Sequence, residues 1–178
     1  MSSRLSPREL AYCGLFGAAS LLLPVLFHLV HLGHVFMPMY LPLVTLPFFV
    51  RPMPASVTAA LTPILSGAVT GMPPLFPPVA VIMALELAAM AALIAFAAKR
   101  WPKLNAWMVL IPVLLMGRVL YVGLVYALSL AIALPAAFMA GASLLSGWPG
   151  IVLMAAVVPP LVVAGRAAAR LSPQGGSP

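Results

Sequence analysis

Residues 79–98 read VAVIMALELAAMAALIAFAA, an apolar run in which Glu86 is the only charged residue. A helix needs about 20 mainly apolar residues to cross the roughly 30 Å hydrocarbon core of a bilayer. Lys99 and Arg100 follow the run at once. This stretch therefore predicts a membrane-spanning helix, and a chain built around it is expected to fold in lipid.

The composition of the whole chain favours a membrane fold. Of its 178 residues, 64% are hydrophobic and only 6% are charged, whereas about a quarter of the residues of soluble domains are charged. The net charge is +7, but the basic residues are scattered singly among apolar runs, which argues against nucleic acid as a partner. One cysteine, Cys13, excludes a disulfide framework within the chain.

The apolar runs predict an all-α integral membrane protein, a bundle of six membrane-spanning helices in a single domain over residues 1–178. Four prolines crowd residues 42–54, so a broken or strongly tilted helix is expected there. The tail, residues 171–178, is expected to be disordered. The six spans are predicted at about 9–30, 39–51, 55–71, 79–98, 107–131 and 147–168.

The connections between these spans alternate between neutral and basic. Those at 31–38, 72–78 and 132–146 contain no Lys or Arg, whereas Lys or Arg stands in both flanking segments, in the connection between the fourth and fifth spans and, as Arg51, at the junction of the second and third. Because cytoplasmic loops carry an excess of Lys and Arg, the pattern predicts that both termini are cytoplasmic. The basic residues on that side are Arg4, Arg8, Arg51, Lys99, Arg100, Lys103, Arg166 and Arg170.

Two charges, Glu86 and Arg118, fall deep inside predicted spans, away from the span ends. At about 1.5 Å per helical residue, Glu86 lies roughly 10 Å below the outer end of its span and Arg118 roughly 16 Å above the inner end of the next. These depths agree within a few Å, which predicts an ion pair or a shared polar site between the two helices. Tyr121, three residues after Arg118, lies on the same helical face. Two interpretations stay open: the charges lock two helices together, or they line a cavity that binds a polar ligand.

Three histidines at the end of the first span form a second candidate site. His28, His31 and His34 are spaced i, i+3, i+6, and imidazole is a common metal ligand. We favour His31 and His34 as loop residues that hydrogen-bond a ligand at the outer mouth. A transition-metal permease subunit, or a small intramembrane metalloenzyme that uses all three histidines, is the alternative.

Two further patterns allow a structural or a functional interpretation. Residues 72–78, MPPLFPP, contain four prolines and form either a stiff cap over a pocket or a simple helix breaker. Gly14 and Ala18 allow close helix approach, within the chain or against a partner.

The sequence contains no P-loop motif, no H-E-x-x-H and no G-x-S-x-G, so it is not expected to be an enzyme or to hydrolyse ATP by itself.

Several of these segments resemble one family. The sequence is similar to the substrate-binding S components of energy-coupling factor (ECF) vitamin transporters, most specifically in the TGMPPL stretch. Tyr40 stands where the family often has His, and residues 51–54 replace its Gly-rich turn. The matching segments are 36–42, 63–66, 70–75, 83–88, 116–118 and 147–151.

The resemblance implies a substrate-capture subunit in a bacterial or archaeal cytoplasmic membrane. Such a subunit binds a small organic vitamin or precursor from outside, while a membrane T component and two ATPase subunits supply the energy. No cofactor is implied. In this interpretation Gly14 and Ala18 dock against the partner. The predicted substrate-binding residues are His31, His34, Met72, Glu86, Arg118, Tyr121 and Trp148.

Overall fold

The computed structural model describes residues 5–29, 36–76, 78–130, 132 and 147–171. Of these residues 84% are helical and none lies in a strand, so the all-α prediction is confirmed. A short 3₁₀ helix spans Leu46–Phe48. The α-helices are α1 (Pro7–Leu29), α2 (Tyr40–Thr45), α3 (Pro52–Thr70), α4 (Val79–Arg100), α5 (Ala106–Ser129) and α6 (Trp148–Leu171).

Five of the six predicted spans are helices long and apolar enough to cross a membrane, namely α1, α3, α4, α5 and α6. Their ends lie within three residues of the predicted bounds. The apolar runs define them well because Lys, Arg, Asn or Pro stands at most of their boundaries. The predicted tail falls outside the described residues except for Leu171, which ends α6.

The second predicted span, 39–51, is not a continuous helix. Its helical part is the six residues of α2 and the three of the 3₁₀ helix, which together extend about 15 Å. Pro47 has no backbone N–H to continue the α-helical hydrogen bonds, and the chain tightens into the 3₁₀ helix at that point. The break expected from the prolines is present, and the six-span count remains a prediction.

Residues 36–51, hereafter the central segment, run along α6. A Cβ atom on Gly150, near the start of α6, would lie 2.8 Å from the carbonyl oxygen of Phe36. A Cβ atom on Gly165, near its end, would lie 2.8 Å from Cζ of Phe49. Gly150 and Gly165 are roughly 22 Å apart along the helix axis. The central segment therefore extends over most of the length of α6, and glycines allow its close approach at both ends.

The central segment forms the core of the bundle. It contacts α1, α4 and α6, while α3 packs along α4, α4 along α5 and α5 along α6. α1 is the least covered span: only 6% of its most apolar stretch is buried, against 28 to 50% in the other four spans. The largest buried apolar side chains of the core include Leu43, Leu46, Leu87, Met90, Ile94, Leu110, Leu114, Met154 and Val158.

One end of the bundle collects basic residues. Arg51, Lys99 and Arg166 line a common cavity there with Glu9, and we call this the basic end. The Glu9 carboxylate accepts hydrogen bonds from Arg51 Nε at 2.8 Å, Arg51 Nη2 at 2.9 Å and the Arg51 backbone N–H at 3.2 Å. These contacts with Glu9 raise the pKa of the Arg51 guanidinium above its usual value. The pair joins the start of α1 to the start of α3.

Candidate functional site

A buried carboxylate lies at the centre of the candidate site. Glu86 is 1% exposed on α4, and its Oε2 accepts a hydrogen bond of 2.5 Å from the Tyr40 hydroxyl at the start of α2. Tyr40 is itself buried. Among the residues that the structure describes, no donor lies within hydrogen-bond distance of the second oxygen, Oε1. The central segment thus supplies one donor to a carboxylate that retains acceptor capacity.

A buried cation stands on the neighbouring helix. Arg118 of α5 is 7% exposed. Its Nη1 donates a hydrogen bond of 3.6 Å to the sulfur of Met37 in the central segment, and its Cζ lies 5.5 Å from the ring centroid of Tyr121. The tyrosine ring packs against Ile82 and Val125 between α4 and α5. Two helices and the central segment therefore fix the position of the guanidinium.

The residue directly before α6, Gly147, also borders this cluster. Gly147 has a φ of +77°, in the left-handed region that glycine adopts without steric cost. A Cβ atom there would lie 2.5 Å from Cε of Met37 and 3.5 Å from Nη2 of Arg118. Glycine at this position thus permits the turn and leaves room for both side chains.

Glu86 and Arg118 lie in one polar site without a direct ion pair. Among the described side chains, only Arg51 and Glu9 bring a nitrogen and a carboxylate oxygen within the 4.0 Å of a salt bridge. The Arg118 guanidinium is nonetheless near enough to interact electrostatically with the Glu86 carboxylate. A shared polar site, the second of the two arrangements predicted from their depth, is the one that the structure shows.

The site lies away from the basic end. Glu86 is seven residues from the start of α4, about 10 Å along the axis, whereas Lys99 at the basic end is thirteen residues further along the helix. The contact of Met37 with Arg118 and the position of Gly147 before α6 agree with this location. The cluster therefore lies in the half of the bundle next to the neutral connections.

The other predicted binding residues are not all brought to this cluster. Met72 lies on the loop after α3 and Trp148 at the start of α6, and both side chains are exposed. His31, His34 and the side chain of His28 lie outside the described residues. Within the described part of the chain, no three His, Cys, Asp or Glu side chains come together as metal ligands. The metal alternative depends on the three histidines and stays a prediction.

The two predicted docking residues lie on the outer surface of α1. Gly14 and Ala18 are both exposed, and a Cβ atom on Gly14 would meet no atom of the described residues within 4 Å. The opposite face of the helix is the one that packs: Tyr12 and Phe16 stack on Phe49 with ring centroids 5.4 and 6.0 Å apart. Gly14 and Ala18 therefore do not serve close packing against the described part of the bundle.

Two members of the cluster were not predicted as site residues. In the sequence, Tyr40 is a departure from the family pattern and Met37 is part of a matching segment. The signal for Tyr40 was a phenol in a run that is otherwise apolar and rich in proline, since a buried tyrosine hydroxyl usually has a hydrogen-bond partner. Nothing in the sequence indicates the contact of Met37 with Arg118.

Comparison of the chain with family models, with curated proteins and with solved structures finds no match.

Proposed function

We propose that this chain is the substrate-capture subunit of an ECF-type, ATP-driven importer that takes up a small organic micronutrient. The observation that carries the proposal is the buried Glu86 carboxylate, held by Tyr40 on one oxygen and without a donor among the described residues on the other. Ionisable residues inside membrane spans are costly and are commonly found where polar substrates bind. Arg118 and the Tyr121 ring beside this carboxylate add a cation and an aromatic surface.

The cluster defines a class of ligand by its chemistry. A ligand group with an N–H or O–H would donate to Oε1 of Glu86, and a flat ring would stack on the aromatic and guanidinium surfaces nearby. A vitamin or nucleobase-like precursor combines both features. Access from the outer side agrees with the position of the cluster near the neutral connections.

We propose in addition that the central segment makes a sixth crossing of the membrane. Its contacts with Gly150 and Gly165 span roughly 22 Å of α6. Six crossings put both termini on the same side, and the basic residues at that end indicate the cytoplasm. The expected location is the cytoplasmic membrane of a bacterium or archaeon.

Energy for import would come from partner subunits, because the sequence contains no P-loop. We propose a membrane T component and two ATPase subunits as these partners. The outer face of α1 with Gly14 and Ala18 is the proposed docking surface, since small residues let a partner helix approach closely. The exposure of α1, the least covered of the spans, supports this assignment.

Purification of the tagged chain from its host membrane tests this proposal. The wild-type protein is expected to copurify with one further membrane subunit and two ATPase subunits, identified by mass spectrometry. Gly14→Leu is expected to lower the amount of copurified partner subunits at least tenfold, because the added side chain projects into the docking surface.

Gly123→Leu on α5 is the matched control. A Cβ atom on Gly123 would also meet no described atom within 4 Å, so this variant should fold and retain its partners. Recovery of the wild-type chain without any ATPase subunit would contradict the proposed function. Equal losses in the two variants would refute the assignment of α1 as the docking surface.

A further inference from the structure

The basic end contains a cavity that the proposed transport function does not use. Its volume is about 220 Å³, and it lies between the end of the central segment, the start of α3 and the ends of α4 and α6. One water takes up about 30 Å³ of the liquid. The cavity therefore has room for a tetrahedral group of four oxygen atoms together with the atoms bonded to it.

The charges around this cavity are unbalanced. Three cationic side chains, Arg51, Lys99 and Arg166, line it together with a single carboxylate, that of Glu9. The carboxylate is engaged with Arg51 through a bidentate contact at 2.8 and 2.9 Å. The chain has only two acidic residues, and the other one, Glu86, is buried in the polar cluster in the other half of the bundle. Lys99 and Arg166 therefore have no carboxylate partner among the described residues.

The walls of the cavity are apolar. Phe48 and Phe49 of the central segment and Ala95 and Ala98 of α4 line it. The Phe49 ring is fixed by stacking on Tyr12 and Phe16. An anion bound here would have both cations and apolar side chains beside it, and opposite charges attract each other more strongly near a protein surface than in bulk water. The orientation of Arg51 is already set by Glu9, so one cation of the site is preorganised.

We propose that this cavity binds a phosphate group, carried by an anionic phospholipid or present as the free ion. Basic pockets between membrane helices bind lipid headgroups through this combination of fixed cations and apolar walls. Lys99 and Arg166 neutralise the phosphate, while the aromatic wall contacts the carbon atoms next to it. The proposal does not depend on the transport function.

The test uses the full-length protein in mixed micelles that contain equal amounts of phosphatidylglycerol and phosphatidylcholine. Native mass spectrometry then counts the retained lipids. The wild-type chain is expected to retain phosphatidylglycerol preferentially, and Lys99→Gln/Arg166→Gln is expected to weaken this retention about tenfold or more. Arg100→Gln is the matched control, since Arg100 is exposed, lies beside Trp101 and does not line the cavity.

A calorimetric titration with inorganic phosphate distinguishes the two sources of the group. Phosphatidylglycerol retention without phosphate binding identifies a lipid site, and phosphate binding that the double variant abolishes identifies a site for the free ion. The proposal is overturned if the wild-type protein neither prefers phosphatidylglycerol nor binds phosphate, a result that needs no variant. It is equally overturned if Arg100→Gln lowers binding as much as the double variant.

Discussion

Replacing Arg118 by Leu is expected to lower the free energy of unfolding by about 3 kcal/mol, because the buried Glu86 carboxylate would lose the nearby cation that offsets its charge. Glu86 is 1% exposed and would keep its carboxylate in the apolar interior. The contacts of Arg118 with Met37 and with the Tyr121 ring would be lost as well. Equilibrium unfolding in mixed detergent micelles measures the change.

Two comparisons show whether the buried charge is responsible. Arg100→Leu removes an exposed arginine that lies over the Trp101 ring, and it should cost about 1 kcal/mol or less. The double variant Arg118→Leu/Glu86→Leu should be more stable than Arg118→Leu alone, since it removes the uncompensated carboxylate. A double variant that is less stable by the full sum of the two single effects would show that the charges do not interact.

Tyr40→Phe is expected to lower the free energy of unfolding by about 2 kcal/mol. This value is typical of a hydrogen bond to a charged group in a protein interior. The substitution keeps the ring and removes only the hydroxyl that donates to Glu86 Oε2 at 2.5 Å. The carboxylate would then lack a described donor on both oxygens. Tyr126→Phe on the exposed surface of α5 is the matched control and should change the stability by about 0.5 kcal/mol or less.

A double-mutant cycle isolates the Tyr40 contact. In a Glu86→Leu background the acceptor is absent, so Tyr40→Phe should cost less than about 1 kcal/mol there. The difference between the two backgrounds measures the coupling of the two side chains. If Tyr40→Phe had the same effect in both backgrounds, its loss would reflect packing of the ring rather than a hydrogen bond to the carboxylate.

The long helices could be predicted from the sequence because each is a run of apolar residues with clear boundaries. Lys99 and Arg100 end α4, and Asn105 caps α5 by accepting from the Trp107 backbone N–H. The broken second span was also expected, since proline cannot continue a helical hydrogen-bond ladder. The path of the central segment was not predictable, because it depends on where Gly150 and Gly165 of α6, 114 and 116 residues later in the chain, leave space for Phe36 and Phe49.

The sequence predicted the depth of the candidate site in the membrane but not the side-chain contacts within it. Counting residues along two spans placed Glu86 and Arg118 at the same level, and the structure gives both buried positions in one cluster. The count does not reveal how each helix is rotated, and helices that are apolar on every side give little indication of it. The partner of Glu86 is therefore Tyr40, 46 residues earlier in the chain, rather than Arg118 directly.

The Glu9 and Arg51 pair was missed for a related reason. Both residues belong to segments whose total charge predicts the side of the membrane but not the individual contacts. Their pairing depends on α1 and α3 starting at the same end of the bundle. With this pair formed, Lys99 and Arg166 account for the excess positive charge of the cavity.

The measurement that tests the central claim most directly is native mass spectrometry of the tagged protein, gently extracted from its host membrane, beside its Glu86→Gln and Glu9→Gln variants. The wild-type chain is predicted to carry one small organic molecule. The Glu86→Gln variant should fold, and the fraction of it that carries the molecule should be more than tenfold lower. The Glu9→Gln variant, which changes the only other acidic residue, should retain the molecule. A wild-type chain without any bound molecule, or a molecule retained equally by all three proteins, would contradict the account.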